Sequence, residues 1–214
     1  MGKEVEFKIK ITEEEFETFL NNRNKIKSFH LSDLCLWAHK SDKYYKSILQ
    51  DETGNNRFVR IRKECMRFVR IRNGMIDLLK NAEHDEYPYK TRTLITIKNK
   101  YVDPSTKCEI NEEDEIYCDE KQSKFFEKMC TDFMIYFFSK EKTSIKFTHK
   151  SINIEFVSVP GVDGIFLEIE DTSNDNDGSS EQISHLESIV TEMGFNPENK
   201  VQESWIELMK QKSK

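Results

Sequence analysis

Clustered metal-binding thiols and imidazoles are what this chain lacks. Its five cysteines, Cys35, Cys65, Cys108, Cys118 and Cys130, are odd in number and form no C-x-x-C pair. Its five histidines show no H-x-x-x-H spacing. A zinc site or disulfide frame is therefore not expected, and the cysteines read as reduced, partly buried thiols of a cytoplasmic protein. No apolar run approaches the roughly 20 residues that cross a bilayer, so no membrane partner is expected. Met1-Gly2-Lys3-Glu4 enters a strand pattern at once, leaving no room for a signal peptide, and Glu6 stands where a myristoylation signal needs Ser or Thr. An overall positive charge is missing too. The net charge of −6 argues against a general nucleic-acid binder.

The 214 residues suffice for one substantial domain, and 15 Phe and 7 Tyr can build a core although 34% of the chain is charged. That charge is uneven. Between Arg57 and Arg72 seven of sixteen residues are basic, whereas 103–120 and 168–181 are acidic. A first strand is expected over 3–11, then a helix opened by the capping box Thr12-Glu13-Glu14-Glu15 and running to about Ile26. Strand pieces follow around 34–40, 43–49, 57–63 and 66–72. The last two carry an exact repeat, Arg-Phe-Val-Arg-Ile-Arg, which reads as a hairpin with one pattern on both arms.

Residues 73–90 read as irregular, 94–98 as a strand, the stretch to about 115 as polar and non-regular, and 121–133 as a helix. Strands at about 134–141, 144–149, 151–159 and 164–171 come next, then a mobile acidic loop at 172–180. Two helices close the chain, one over 181–193 and one from Asn196-Pro197 carrying Val201, Trp205 and Leu208 on one face. This pattern predicts one α+β domain over 1–214, an antiparallel β-barrel with helices packed outside and an insertion at 73–92.

Two distant stretches share one design. Glu4-Val5-Glu6-Phe7-Lys8 and Phe166-Leu167-Glu168-Ile169-Glu170 alternate acids with apolar residues, so each strand turns its carboxylates to one face. A solvated strand face would look the same. If both rows face one space, however, the convergence is costly without a hard divalent cation among them. Arg60 and Arg62, and in the second copy Arg70 and Arg72, alternate with aliphatic residues and suit phosphate oxygens. Lys98 and the pair Lys140 and Lys142 fit as further inward cations, although surface charges guarding sheet edges would read alike. A metal-bound polyphosphate satisfies both rows, in a barrel charged inside and apolar outside.

These residues resemble the CYTH superfamily, the triphosphate tunnel metalloenzymes. Glu4-x-Glu6-x-Lys8 is similar to its E-x-E-x-K signature, and in family order Asp42-Lys43-Tyr44-Tyr45, Arg60-x-Arg62 and Leu94 to Lys98 resemble its next three strands. Lys107-x-Glu109 partly matches R-x-E-x-E, with Asn111 at the second acid and Glu113 or Glu115 as alternatives. Lys140-Glu141-Lys142 is similar to K-x-R, and Glu155 stands at the usual Asp. Val159 to Gly164, Phe166 to Glu170 and Ser204-Trp205-Ile206-Glu207-Leu208 resemble the closing elements. Spacing from Tyr45 favours the first arginine copy, proximity to Lys98 the second.

The resemblance implies an eight-stranded antiparallel tunnel that binds a triphosphate-containing small molecule with one or two Mg²⁺ or Mn²⁺ ions. Glu4, Glu6, Glu155, Glu168 and Glu170 would hold metal. Lys8, Arg60, Arg62 and Lys98 would stabilise the reacting phosphates, and Arg70, Arg72, Glu109, Lys140 and Lys142 would help bind them. Hydrolysis of inorganic, thiamine or nucleoside triphosphate is the expected reaction. A class IV adenylate cyclase, a non-catalytic polyphosphate-binding module and an RNA 5′-triphosphatase are the alternatives, the last being the one nucleic-acid partner considered. Either a monomer or a homodimer is expected.

Overall fold

Strict alternation along strands leaves one problem: where to put a charged face that cannot meet an apolar core. The chain solves it by curling the sheet shut. The computed structural model describes residues 2–26, 31, 33–50, 56–71, 75–80, 90–102, 108–173 and 180–210. Among them are eight strands: β1 (Gly2–Ile11), β2 (Leu34–Gln50), β3 (Asn56–Arg70), β4 (Lys90–Val102), β5 (Glu109–Cys118), β6 (Ile135–His149), β7 (Ile152–Ser158) and β8 (Ile165–Asp171). They form a closed antiparallel barrel in the order β1-β5-β4-β3-β2-β6-β7-β8. The pairing of β1 with β8, in which Phe7 lies opposite Ile169 and Lys8 opposite Glu168, completes the ring.

The apolar core lies outside this barrel. Val5, Phe7, Ile9 and Ile11 of β1 are buried against helices α1 (Glu13–Asn22) and α4 (Ser180–Glu192), together with Ile154 and Phe156 of β7 and Leu167 and Ile169 of β8. The rings of Phe16 and Phe19 from α1 stand 4.8 and 4.9 Å from Phe156. Thr12 opens α1 with a complete capping box to Glu15, as its sequence predicts. A smaller cluster of Tyr45, Ile61, Ile95 and Cys130 lies beneath α3 (Glu120–Phe133). Trp37, fully buried in the larger cluster, donates its indole N–H to the Leu78 carbonyl at 2.9 Å. Among the described residues no helix is long and apolar enough to cross a membrane.

Several elements differ from the sequence expectation. The two arginine copies do not form a hairpin: the first, and Arg67 to Arg70 of the second, run along the single strand β3, paired with β2 from Leu34 opposite Arg70 to Lys46 opposite Phe58. The copies begin ten residues apart, an even number that keeps one face throughout, and Lys63-Glu64-Cys65-Met66 between them holds no turn former. The pieces at 34–40 and 43–49 likewise join as β2, and those at 134–141 and 144–149 as β6. The polar stretch before 115 holds β5, and 73–90 contains a short helix α2 (Met75–Lys80) whose Met75 and Leu79 enter the core; residues 81–89 lie outside the described ones, as do 174–179 of the acidic loop. Asn196-Pro197 begins only a 3₁₀ turn, and the last helix, α5 (Trp205–Lys210), starts later.

The position of the core sets a stability contrast. Phe156→Ala should cost about 3–5 kcal/mol in urea unfolding. Phe68→Ala, at a residue 74% exposed, should stay within about 0.5 kcal/mol of the parent.

A candidate active site inside the barrel

The inward faces of the strands enclose a cavity of about 630 Å³. Nine basic and seven acidic side chains line it, so the space as a whole favours an anion. Glu6 and Lys8 enter from β1, Lys40 from β2, Arg60 and Arg62 from β3 and Lys98 from β4. Glu113 and Glu115 come from β5, Lys140 and Lys142 from β6, Glu155 from β7, and Glu168 and Glu170 from β8.

Three networks hold these charges. Arg62 grips the fully buried Asp42 in a fork, Nε to Oδ1 at 2.7 Å and Nη2 to Oδ2 at 2.9 Å, with Lys140 Nζ 3.9 Å from Oδ2. Burial opposes ionisation of Asp42, but Arg62 overrides it and holds the carboxyl far below its ordinary range. Beside it, toward β4 and β5, Arg60 Nη2 donates to Thr96 Oγ1 at 2.9 Å and Glu115 Oε1 at 2.8 Å, and Lys98 pairs with Glu113. Arg60 Nε is buried with no hydrogen-bond partner among the described residues. In the third network Lys142 Nζ donates to Glu168 Oε2 at 2.8 Å and Glu155 Oε2 at 3.3 Å, and Lys40 also pairs with Glu155.

The lysines divide into two groups. Burial drives Lys140 down to about 7, against the pull of Asp42, and Lys40 down to about 8, against that of Glu155. Burial acts on Lys98 and Lys142 as well, but Glu6 and Glu113 outweigh it at Lys98, and Glu155 and Glu168 at Lys142, so both rise above their usual value. Glu168 resists burial because Lys142 holds it down to about 2.

One end of the cavity is covered by the C-terminal segment. Lys200 bridges to Ile9, the Val201 N–H donates to the Lys8 carbonyl at 2.8 Å, and Ser204 caps α5 with Glu207. The chain is thereby returned across the barrel, and Trp205 Nε1 donates to Glu168 Oε1 at 2.9 Å. The ammonium groups of Lys140 and Lys8 lie 5.2 and 5.5 Å from its ring.

Of the residues the sequence nominates, Lys8, Arg60, Arg62, Lys98, Lys140 and Lys142 share this cavity with Glu6, Glu155, Glu168 and Glu170. The first arginine copy faces inward; Arg70 is exposed at the end of β3 and does not line the cavity. Arg72 lies outside the described residues, as do the side chains of Glu4 and Glu109. The acid-bearing ribbons are neighbours: Glu6 faces Glu170 across β1–β8, and Glu168 faces Glu155 across β7–β8. Among the described residues no three histidine, cysteine or carboxylate side chains converge into a metal-ligand cluster. Sequence reading did not nominate Lys40, Thr96 or Trp205. Lys40 could have been found, because it shares the phase of Asp42 and Tyr44; Trp205 depends on a distant tether.

No family model matches the chain, and no curated protein matches it by sequence. Solved structures do. The PH1819 protein of Pyrococcus horikoshii OT3 is similar at 25% identity and TM-score 0.65, covering 98% of this chain and 99% of that one. A conserved hypothetical protein of Pyrococcus furiosus is similar at 18% identity and TM-score 0.60, covering 96% and 99%. A candidate adenylate cyclase of Vibrio parahaemolyticus has 14% identity and TM-score 0.61, covering 98% of each chain. The fold is that of an eight-stranded antiparallel tunnel with a charged bore. These solved structures share that fold over nearly the whole chain.

Glu168 gives an acid signature. Its folded value of about 2 lies below its ordinary 4.5, so the unfolded chain binds its proton first. Its contribution to stability is complete above about pH 4.5 and is lost as pH falls toward 2. Urea midpoints across that window should fall with pH, less steeply in Glu168→Gln.

Proposed function

We propose that this protein is a divalent-metal-dependent phosphohydrolase acting on triphosphate substrates. The observation that carries this reading is the meeting, in one cavity, of Arg60, Arg62, Lys98, Lys140 and Lys142 with the carboxylates of Glu6, Glu168 and Glu170. Cations on several walls can surround a phosphate chain from more than one side. Arginine forks and lysine ammonium groups then meet its oxygens as charge redistributes.

The donor chemistry fits a hard cation. Glu6 and Glu170 face each other across one strand pair, an arrangement that repels unless a positive charge intervenes. Glu6, Glu168 and Glu170, with Glu4 and Glu155, are oxygen donors of the kind Mg²⁺ or Mn²⁺ takes, and they would have to draw together on the ion, since no three converge among the described residues. When bound, such an ion draws charge from phosphoryl oxygens and lowers the pKa of a bound water.

The chain's own groups do the rest. Arg60, braced by Thr96 and Glu115, has its Nε still to satisfy and would take a phosphate oxygen. Lys40 and Lys142, which neutralise Glu155 and Glu168, would release those carboxylates and turn to phosphate. Trp205 and its helix shield that end of the cavity from water, which strengthens every charge interaction within. The runner-up reading, cyclisation of ATP, draws on the similarity to the Vibrio candidate cyclase.

Products separate the readings. With Mg²⁺ or Mn²⁺ and tripolyphosphate, thiamine triphosphate or ATP, the protein should release phosphate. Cyclic AMP with pyrophosphate would instead establish the cyclase, tight binding without turnover a polyphosphate-binding module, and neither binding nor turnover would reject the reading. Arg60→Ala should lower kcat/KM by about 100-fold or more, with an unchanged circular dichroism spectrum.

Binding should also move protons. A bound polyanion favours the ammonium form and raises the values of Lys140 (about 7) and Lys40 (about 8). Titration calorimetry in buffers of different ionisation enthalpy should therefore show net proton uptake near pH 8. That uptake should fade toward pH 6, where both lysines are already charged, and shrink in Lys140→Met.

A further inference from the structure

Four aromatic rings gather where β3 and β6 begin. Tyr44, Phe58, Phe137 and Phe138 all line the cavity at that end. Tyr44 and Phe138 stack in parallel, centroids 4.3 Å apart at 8°, and Phe137 lies 5.3 Å from Phe58 and 5.5 Å from Phe138. A plug of packed side chains would be buried, but none of the four is, and Phe137 is 44% exposed.

Their arrangement is built by an irregularity. Across β2 and β6, Tyr44 pairs with Phe138 and Tyr45 with Tyr136, so the register slips and Phe137 is the extra residue. In a regular strand consecutive side chains alternate between faces. The bulge lets Phe137 and Phe138, adjacent in sequence, both line the cavity, which is the re-aiming that bulges beside binding sites perform. The rings also adjoin the phosphate-facing cations. Lys140 Nζ is 5.8 Å from the Tyr44 centroid, and Phe58 is the cross-strand partner of Lys98.

A bare phosphate chain has no use for exposed ring faces, which solvate an anion poorly. A planar heterocycle esterified to that chain does, because every such ring has a π-face to stack on an aromatic side chain. We propose that Phe58, Phe137 and Phe138, backed by Tyr44, form a ring-binding subsite, so that the substrate is a triphosphate monoester of a compound bearing an aromatic heterocycle and not inorganic triphosphate. The proposal deepens, and rests on, the triphosphate reading of the same cavity. Phe137 is its specificity determinant.

Calorimetric titration with Mg²⁺ and three probes tests it: methyl triphosphate, which has the ester but no ring, ATP and thiamine triphosphate. At least one ring-bearing probe should bind the unaltered protein about fivefold or more tighter than methyl triphosphate. Whichever probe does so identifies a nucleoside or a thiamine-like ring. Phe137→Ala should bring that ratio close to one, Phe58→Leu should reduce it, and Phe137→Trp should preserve it. Equal binding of all three probes by the unaltered protein, or a ratio that survives Phe137→Ala, would overturn the subsite and leave the triphosphate reading standing. Failure of all three to bind would instead overturn the triphosphate reading, and the subsite with it.

Discussion

Everything in this molecule depends on β1 closing against β8. Before that pairing the sheet is a ribbon with one charged and one apolar face. After it, the charged face becomes an interior. Lys8 then lies opposite Glu168 and Glu6 opposite Glu170, which joins ends of the chain more than 150 residues apart. Closure also removes the two sheet edges at once, so no row of unpaired backbone groups is left along that seam.

An interior of this kind is costly to build, since charges taken from water must be answered by partners. The chain answers with networks in place of isolated pairs. Arg62 with Asp42, Arg60 with Thr96 and Glu115, and Lys142 with two glutamates each balance charge locally. The balance is uneven by design of the strands: Lys140 and Lys40 are the groups whose charge burial most reduces, whereas Lys142 and Lys98 are held charged by carboxylates. The apolar clusters outside the barrel supply the hydrophobic burial that this charged interior does not.

Much of this was legible in the residues. The alternation of β1 and β8 is clean because each packs one face on helices and turns the other to the cavity. The phase of Arg60, Arg62, Lys140 and Lys142 followed from the same period. What failed had physical causes. The duplicated arginine motif looks like two arms, yet long barrel strands carry one pattern across many residues without turning. The residue pattern alone missed β5, which only the partial R-x-E-x-E match touched, because its outward Asp114 and Ile116 are exposed and no hydrophobic period marks it. Trp205 could not be foreseen, because it reaches the cavity only through the backbone tie between Val201 and Lys8.

That tie has a practical side. The chain holds two tryptophans, and the fold assigns them to different worlds. Trp37 is sealed in the outer apolar cluster with its indole on a backbone carbonyl, and Trp205 sits at the cavity among a carboxylate and two ammonium groups. The molecule thus carries two built-in optical probes. Emission from the first should follow unfolding, and emission from the second should follow whatever occupies the bore, so one fluorescence spectrum can distinguish a vacated tunnel from a melted one.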